Sequence, residues 1–341
     1  MTATDGNPLP GPPPASQVRG KHWVWGGVDK NAKTDDLKKR YAQLKSRGIG
    51  GVFIGGGLDD REFDILKNLG MEVHCWMWTT NRGESWIREY HPDWFMVSRS
   101  GKSCFDKPPY VDYYRWVSPA IPQFRRYLAD RVAELAEHPA VSGVHLDYVR
   151  FPDVILPRAL WKQYNVDQTE ELPDFDFCYG EHTLKAFREV SGRDPRELKN
   201  PGADQEWVHF RQNLITLLVA ELREVAHRHG KQITAAVFPT PALARTICRQ
   251  SWDDWELDAV CPMVYNSFYN EPVSWIGDCV REDVQAVRFP VFAGLYLPGL
   301  EKPKEFGEAV KLALRRGAAG VSLFGGVSDA HWKEFEKAIK G

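Results

Sequence analysis

Residues 143–152 read GVHLDYVRFP, a mostly apolar run that contains one carboxylate, Asp147, and one basic residue, Arg150. Such a run favours a buried strand. Side chains alternate between the two faces of a strand, so His145 and Asp147 share one face and Leu146 lies on the other. Leu146 suits a face covered by helices, which turns Asp147 toward the interior. The stretch therefore predicts an inward carboxylate near the end of a strand. There it either pairs with a basic side chain or acts on a ligand.

Strand-like and helix-like segments alternate on both sides of this stretch. Apolar residues at helical spacing mark the intervening segments, for example 34–48 and 207–230. Strands that alternate with helices form right-handed βαβ units and a parallel sheet. Eight repeats favour a closed α/β barrel, the (β/α)8 TIM barrel, over an open sheet. The predicted strands cover residues 22–28, 50–56, 71–80, 143–151, 232–239, 257–265, 291–298 and 319–326.

Two connections are much longer than the others, residues 81–120 after the third strand and 152–206 after the fourth. Connections longer than about 15 residues usually have a function or lack order. Both follow strands, so both are expected at the C-terminal mouth of the barrel, where active sites of this fold lie. The second contains a helical piece at 180–192. We therefore expect residues 153–205 to form an inserted lid within a single barrel domain, 21–341.

Composition argues against several classes of protein. The chain has 44 Lys and Arg against 46 Asp and Glu without a basic block, so no nucleic-acid partner is expected. No apolar run approaches the roughly 18 residues that cross a membrane. Six cysteines without CxxC spacing and a first strand without a His-x-His pair argue against a metal site, and no cofactor is expected. Residues 1–20 are Pro-rich and are expected to form a disordered tail without a signal peptide, so an extracytoplasmic location would require a removed leader. The oligomeric state is left open.

The stretch GVHLDYVRFP resembles the fourth-strand motif of the glycosyl-hydrolase-like TIM barrels, a group of bacterial proteins distantly related to the amylase and xylanase barrels. Three further segments resemble this group in the same order: WVSPAIPQFRRYL (116–128), ITAAVFPTP (233–241) and WDDWELDAVCPMVY (252–265). The similarity extends over residues 21–326. The resemblance implies a TIM barrel and leads us to expect a glycoside hydrolase that acts on a polysaccharide or oligosaccharide.

Glycoside hydrolysis needs two carboxyl groups, one as proton donor and the other as nucleophile or base. The resemblance supports Asp147 as the nucleophile or base, and a hydrogen bond from Arg150 would keep the pKa of Asp147 low. The predicted fifth strand ends without a carboxylate, so the proton donor is expected in a loop. Glu271, which lies between Tyr269 and Trp275, is the first candidate for this role. The alternative carboxylates are Asp29, Glu84, Asp174 and Asp176.

Aromatic residues near the predicted strand ends suit stacking against the apolar faces of sugar rings. The predicted substrate-binding aromatic residues are Trp25, Trp78, Phe238, Tyr265 and Tyr296. Asn81 and Asn266 follow strands and suit hydrogen bonds to sugar hydroxyl groups, and His145 and Arg150 complete the predicted binding set. A barrel with this groove but without the acid would bind carbohydrate and not cleave it. That non-catalytic carbohydrate-binding barrel is the alternative function.

Overall fold

Parallel strands form the centre of the computed structural model, which describes residues 20–340. The strands are β1 (His22–Gly27), β2 (Ile49–Gly55), β3 (Glu72–Trp78), β4 (Gly143–Asp147), β5 (Gln232–Val237), β6 (Ala259–Pro262), β7 (Phe292–Tyr296) and β8 (Gly320–Phe324). Within the described range these eight strands pair in the order β6-β5-β4-β3-β2-β1-β8-β7. Parallel bridges from Val260 to Val291 and from Met263 to Gly294 connect β6 with β7. The predicted (β/α)8 TIM barrel is confirmed.

Helices connect the strands and cover the outside of the barrel. They are α1 (Thr34–Ser46), α2 (Asp60–Asn68), α3 (Ser85–Tyr90), α4 (Pro122–Glu137), α5 (Trp161–Tyr164), α6 (Glu181–Ser191), α7 (Gln205–Arg228), α8 (Pro241–Cys248), α9 (Asn266–Tyr269), α10 (Val273–Ala286), α11 (Pro303–Arg315) and α12 (Asp329–Ala338). In α11, for example, the buried residues Phe306, Ala309, Val310 and Ala313 follow the spacing of one helical face. Within residues 20–340, no helix has the length and apolar character needed to cross a membrane.

Strand β4 ends at Asp147 and not at residue 151, where the predicted strand ended. The next residue, Tyr148, has a φ of +51°, a left-handed conformation that cannot continue a strand. The backbone N–H of Thr79 still donates to the carbonyl oxygen of Asp147 at 2.9 Å. Asp147 is also paired in register with Trp78, the last residue of β3. The last residues of β3 and β4 therefore lie side by side at the mouth.

Aromatic and histidine side chains fill the interior of the barrel below Asp147. The ring of His145 stacks on Phe53 with 3.9 Å between centroids, and its Nδ1 lies 2.8 Å from Thr234 Oγ1. Trp23 stacks on the same phenylalanine at 4.5 Å. Burial lowers the pKa of His145 well below its ordinary value, so its ring is neutral. This packed interior leaves the mouth as the place where a ligand can enter.

The long connections after β3 and β4 cover residues 79–121 and 148–204 and pack against each other. A bridge between Ser98 and Phe177 joins them. The first contains α3, and the second contains α5 and α6. We call the second connection the lid. The predicted disordered tail, residues 1–20, lies outside the described residues except for its last residue.

A buried ion pair attaches the lid to the barrel wall. Asp176 of the lid accepts a hydrogen bond from Arg211 of α7 at 2.5 Å, and both side chains are fully buried. Arg249 and Arg99 approach the same carboxylate at 3.9 and 3.6 Å. Burial alone would raise the pKa of Asp176, but the charges of Arg211 and Arg249 outweigh it and hold the pKa below its usual value. The lid is therefore held by a charged contact in the interior.

Candidate active site

Asp147 lies at the floor of the barrel mouth and is partly exposed there. Its Oδ2 accepts a hydrogen bond from Trp76 Nε1 at 2.9 Å, and its Oδ1 accepts one from the backbone N–H of Tyr148 at 2.7 Å. Trp76 and Trp78 are two residues apart on β3 and so share a face. Each carboxylate oxygen can accept more than one hydrogen bond. Asp147 is therefore fixed in position while it keeps acceptor capacity for a ligand.

The surroundings raise the pKa of Asp147 above the ordinary value of an aspartic acid. Burial is the largest cause, because a carboxylate loses favourable interactions with water when apolar walls surround it. The hydrogen bonds from Tyr148 and Trp76 and the positive charge of Arg150 act in the opposite direction, but burial outweighs them. Asp147 therefore holds its proton to a higher pH than an aspartate in water, which suits a general acid and not the nucleophile or base expected from the sequence.

Arg150 binds Asp153, and the sequence prediction that it binds Asp147 is wrong. Its Nη1 donates to Asp153 Oδ2 at 3.1 Å and to the carbonyl oxygen of Phe151 at 2.8 Å. Its guanidinium lies 4.6 Å from the ring centre of Phe238. Arg150 follows a turn and not a continued strand, so its side chain takes a different direction. The predicted low pKa of Asp147 is also wrong, because burial raises it.

The mouth contains two adjoining cavities, which we call the acid lobe and the glycine lobe. The acid lobe has a volume of about 520 Å³ and is lined by Asp147, Asp153 and aromatic side chains of the barrel and the long connections. The glycine lobe has a volume of about 780 Å³ and lies over the ends of β1, β2 and β3, with Gly27, Gly55 and Gly83 in its wall. The two lobes share a wall of four aromatic side chains: Trp25, Trp76, Trp78 and Phe324.

Most of the predicted site residues meet in these two lobes. The predicted residues in the acid lobe are Asp147, Arg150, Trp25, Trp78, Phe238, Tyr265 and Tyr296. Asn81 lines the glycine lobe, and its Oδ1 accepts a hydrogen bond from the backbone N–H of Arg115 at 2.8 Å. The ring centroids of Tyr265 and Tyr296 lie 5.2 Å apart, and the two rings pack against each other. Residues from different strands therefore surround Asp147.

Three predicted site residues lie outside both lobes: His145, Asn266 and Glu271. His145 is fully buried in the barrel interior, because alternation along a strand predicts the face of a residue but not its depth. Asn266 begins α9, and its Nδ2 donates to the carbonyl oxygen of Glu271 at 2.9 Å. Glu271 follows α9 and is exposed to solvent. The structure therefore does not bring the first candidate for the proton donor to the cavity that contains Asp147.

Among the alternative carboxylates, Glu84 lines the glycine lobe, where it pairs with Arg82 and accepts a hydrogen bond from Tyr127 Oη at 3.1 Å. Asp29, Asp174 and Asp176 lie outside the lobes and pair with arginine or lysine side chains. Within residues 20–340, no three His, Cys, Asp or Glu side chains form a group suited to a metal ion.

Asp153 and the tyrosines of the long connections also belong to the site, although the sequence did not predict them. Asp153 lines the acid lobe next to Arg150, and its carbonyl oxygen accepts a hydrogen bond from Tyr110 Oη at 2.8 Å. Tyr110 and Tyr148 both line this lobe with positive φ angles of 64° and 51°. Such strained conformations in bulky residues concentrate at functional sites. One feature of the sequence could have indicated Asp153: it stands three residues after Arg150, in the turn that follows the strand.

A comparison with protein families identifies the family of this chain. The family model described as glycosyl hydrolase-like 10 matches residues 60–296, more than half of the chain. The chain belongs to this family. The matched range includes strands β3 to β7, with Asp147 at the end of β4, and both long connections. The resemblance to the glycosyl-hydrolase-like TIM barrels is confirmed.

Solved glycosidase structures have the same fold. The catalytic domain of beta-amylase from Paenibacillus polymyxa gives a TM-score of 0.64 at 12% identity, over 94% of this chain and 98% of that one. Beta-galactosidase from Bacillus circulans sp. alkalophilus gives 0.63 at 15% identity, over 95% of this chain and 56% of that one, so this chain spans about half of its length. A class V chitinase from Pseudomonas fluorescens Pf-5 gives 0.50 at 10% identity, over 93% and 99% of the two chains. Among curated protein sequences, none matches significantly.

Proposed function

We propose that the protein hydrolyses glycosidic bonds of a polysaccharide or oligosaccharide, with Asp147 as the carboxyl group that transfers the proton. The position of Asp147 carries this proposal. It ends β4, is partly exposed at the floor of the acid lobe, and has a pKa raised by burial. Barrel enzymes of this fold build their active sites at the C-terminal ends of strands. Membership in the glycosyl hydrolase-like 10 family supports the reaction class.

The walls of the acid lobe suit a sugar ring. Tyr265, Tyr296 and Trp25 line it with aromatic faces, and Trp78 at its edge keeps 37% of its surface exposed. Aromatic rings pack well against the apolar C–H faces of a sugar while their polar atoms and neighbours bind its hydroxyl groups. Asp147, Arg150, Asp153 and Gln163 also line the lobe and offer polar groups beside these rings. We therefore propose a carbohydrate as the substrate.

In the proposed reaction, protonated Asp147 donates its proton to the glycosidic oxygen as the bond from this oxygen to the anomeric carbon breaks. A water molecule adds to the anomeric carbon and gives its proton to a second carboxylate. We assign this second role to Asp153, because it lines the same lobe as Asp147 and Arg150 holds it in position through a hydrogen bond. The Trp76 hydrogen bond stabilises the carboxylate that Asp147 becomes. Exchange with solvent restores both groups to their starting forms.

A glycan screen tests the proposal. Wild type and Asp147→Asn are incubated with a broad panel of polysaccharides and oligosaccharides, and the products are identified by mass spectrometry. We expect shorter glycans from the wild type and none from Asp147→Asn, with both proteins folded by circular dichroism. Asp174→Asn is the matched control, because Asp174 is an exposed lid carboxylate that pairs with Lys102, and it should keep full activity.

Binding without cleavage would identify the alternative, a non-catalytic carbohydrate-binding barrel. In that case a glycan would retard both wild type and Asp147→Asn in affinity electrophoresis, and neither protein would release products from it. That result would contradict the proposed hydrolysis and the role assigned to Asp147.

A further inference from the structure

We propose that the glycine lobe is a second carbohydrate subsite, so that an uncharged linear glycan runs across both lobes and is cleaved at an internal bond. The cleavage part of this proposal rests on the proposed function. The binding part stands by itself, because it follows from the shape and the polar groups of the glycine lobe.

The position of Asp147 relative to the shared wall supports an internal cut. Trp76 lines both lobes, and its indole N–H donates to Asp147 at 2.9 Å. The reacting carboxyl group therefore lies against the wall between the lobes and not at a closed end. Trp78, in the same wall, is 37% exposed and offers a flat surface from one lobe to the other. A glycan that is cleaved beside this wall therefore extends into both lobes, with sugar units on either side of the broken bond.

The glycine lobe has the size and the polar groups of a ligand site. Its volume of about 780 Å³ falls in the usual range of small-molecule pockets, roughly 300–1,000 Å³. Asn81 lines it and is 1% exposed, yet within residues 20–340 its Nδ2 has no hydrogen-bond partner. A buried donor without a partner is unfavourable, so a ligand that supplies an acceptor is expected there.

The charges in this lobe favour a neutral ligand. The guanidinium of Arg82 is paired with Glu84, and each side chain keeps one buried polar atom, Nε and Oε2, without a partner among the described residues. Together with Asn81 Nδ2 they provide donors and one acceptor. A hydroxyl group both donates and accepts hydrogen bonds, so a hydroxyl-rich ring matches this set. Arg131, which also lines this lobe, pairs with Glu134, so neither ion pair leaves a free charge for an acidic sugar.

At two glycines of this wall, a side chain can be added without a clash with the backbone. A Cβ atom at Gly27 would meet only Gly55 O, at 3.8 Å, and a Cβ atom at Gly83 would meet nothing within 4 Å. Neither residue has a positive φ, so other amino acids are compatible with the backbone there. By contrast, a Cβ atom at Gly55 would lie 2.8 Å from the Trp76 ring. Gly27 and Gly83 are therefore sites where a larger side chain would fill the lobe and leave the fold intact.

Filling the lobe tests the proposal. Gly27→Phe and Gly83→Trp place a ring in the glycine lobe, and Gly326→Phe is the matched control, since Gly326 follows β8 outside both lobes with nothing within 4 Å of an added Cβ. Each substitution is made in the wild type and in Asp147→Asn. The probes are cello-, xylo-, malto- and chito-oligosaccharides from dimers to octamers. Calorimetry on the Asp147→Asn proteins gives affinities, and kcat/KM on the others gives cleavage.

We expect affinity for the glycan that binds to rise with chain length until both lobes are occupied. Both filling substitutions should weaken the binding of long oligomers by about tenfold or more, to the level of short ones, whereas the control should not. Products of the wild type should be oligomers from internal cuts.

Three other results are informative. If the filled variants bind and cleave long oligomers as the wild type does, the second subsite is overturned and the proposed hydrolysis stands. If binding depends on chain length and on the filled lobe but the wild type cleaves none of the glycans, the second subsite stands and the hydrolysis fails. If none of the oligosaccharides binds, the second subsite for an uncharged glycan is overturned.

Discussion

The chemistry of Asp147 depends on a balance between burial and two hydrogen bonds. Burial raises its pKa, and the hydrogen bonds from Tyr148 and Trp76 favour the charged form and lower it. Trp76→Phe removes one of the two bonds, so the pKa of Asp147 should rise further. If Asp147 is the general acid, the alkaline limb of kcat/KM should move to higher pH in this variant.

The control for this prediction is Trp25→Phe. Trp25 lines both lobes as Trp76 does, but its Nε1 is not a partner of Asp147. This variant should change substrate binding and leave the alkaline limb where it is. The alkaline limb of the kcat/KM profile should therefore shift only in Trp76→Phe. If it does not shift there, or shifts equally in both variants, Asp147 is not the proton donor.

The pair of Arg150 and Asp153 is a second feature of individual residues. Both side chains are almost fully buried, at 6% and 4% exposure. Arg150→Met leaves the Asp153 carboxylate buried without its partner, so the free energy of unfolding should fall by about 3–5 kcal/mol in urea denaturation. The double variant Arg150→Met with Asp153→Leu should regain much of this loss, because no charge remains buried. Equal losses in the single and double variants would show that the arginine acts only through packing.

The end of strand β4 shows what a sequence pattern can and cannot predict about an element. Alternation along GVHLDYVRFP gave the correct face for Asp147 and its position near the mouth. It could not show that Tyr148 adopts a left-handed conformation, because tyrosine has no preference for it. Because of this turn, the side chain of Arg150 reaches Asp153 and not Asp147. Glu271 failed to reach the lobes for a similar reason, since a short helix, α9, separates it from β6.

A buried ion pair between Asp176 and Arg211 joins the lid to α7. Arg211→Met removes the nearest of the positive charges around Asp176, so the free energy of unfolding should fall by about 3–5 kcal/mol. In this variant, backbone amide hydrogen exchange should increase at short exchange times in the lid, residues 148–204. In the barrel strands it should increase only at longer times. Lys102→Met is the control, because its partner Asp174 is exposed, and it should cost no more than about 1 kcal/mol. Uniform exchange across the chain in Arg211→Met would contradict a local role for this contact.

At the scale of the whole molecule, the order of elements was enough to predict the fold. Each of the eight predicted strands overlaps an observed one, because apolar runs alternate with helical spacing along the chain. The candidate site was predicted in part. Aromatic residues at strand ends, such as Trp78 and Tyr265, reach the lobes because their position follows from the barrel. Tyr110 and Asp153 come from the long connections, whose path depends on tertiary contacts.

The buried histidines give the molecule a predicted dependence of stability on pH. Burial lowers the pKa of His22 and His74 from 6.5 to about 4. The unfolded chain takes up protons at these positions as the pH falls below 6.5, and the folded protein does not. The stability that neutral histidines provide is therefore present above pH 6.5 and lost as the pH falls toward 4, by about 1.4 kcal/mol per pH unit for each histidine.

Melting temperatures between pH 7 and pH 5 check this dependence. The melting temperature should fall across this range in the wild type and fall less in His74→Asn. The exposed His182 provides the control, since His182→Asn should follow the wild type. A wild-type melting temperature that is constant from pH 7 to pH 5 would contradict the prediction.

The most direct test of the central claim is the rate of glycan cleavage by Asp147→Asn beside wild type and Asp174→Asn. New reducing ends are counted over time on the glycan that the wild type cleaves. If Asp147 transfers the proton, its substitution should lower kcat by about 10²–10⁴-fold, while Asp174→Asn matches the wild type and all three proteins remain folded. Cleavage by Asp147→Asn at the wild-type rate would contradict the claim, and a wild type that binds glycans without cleaving any would contradict it as well.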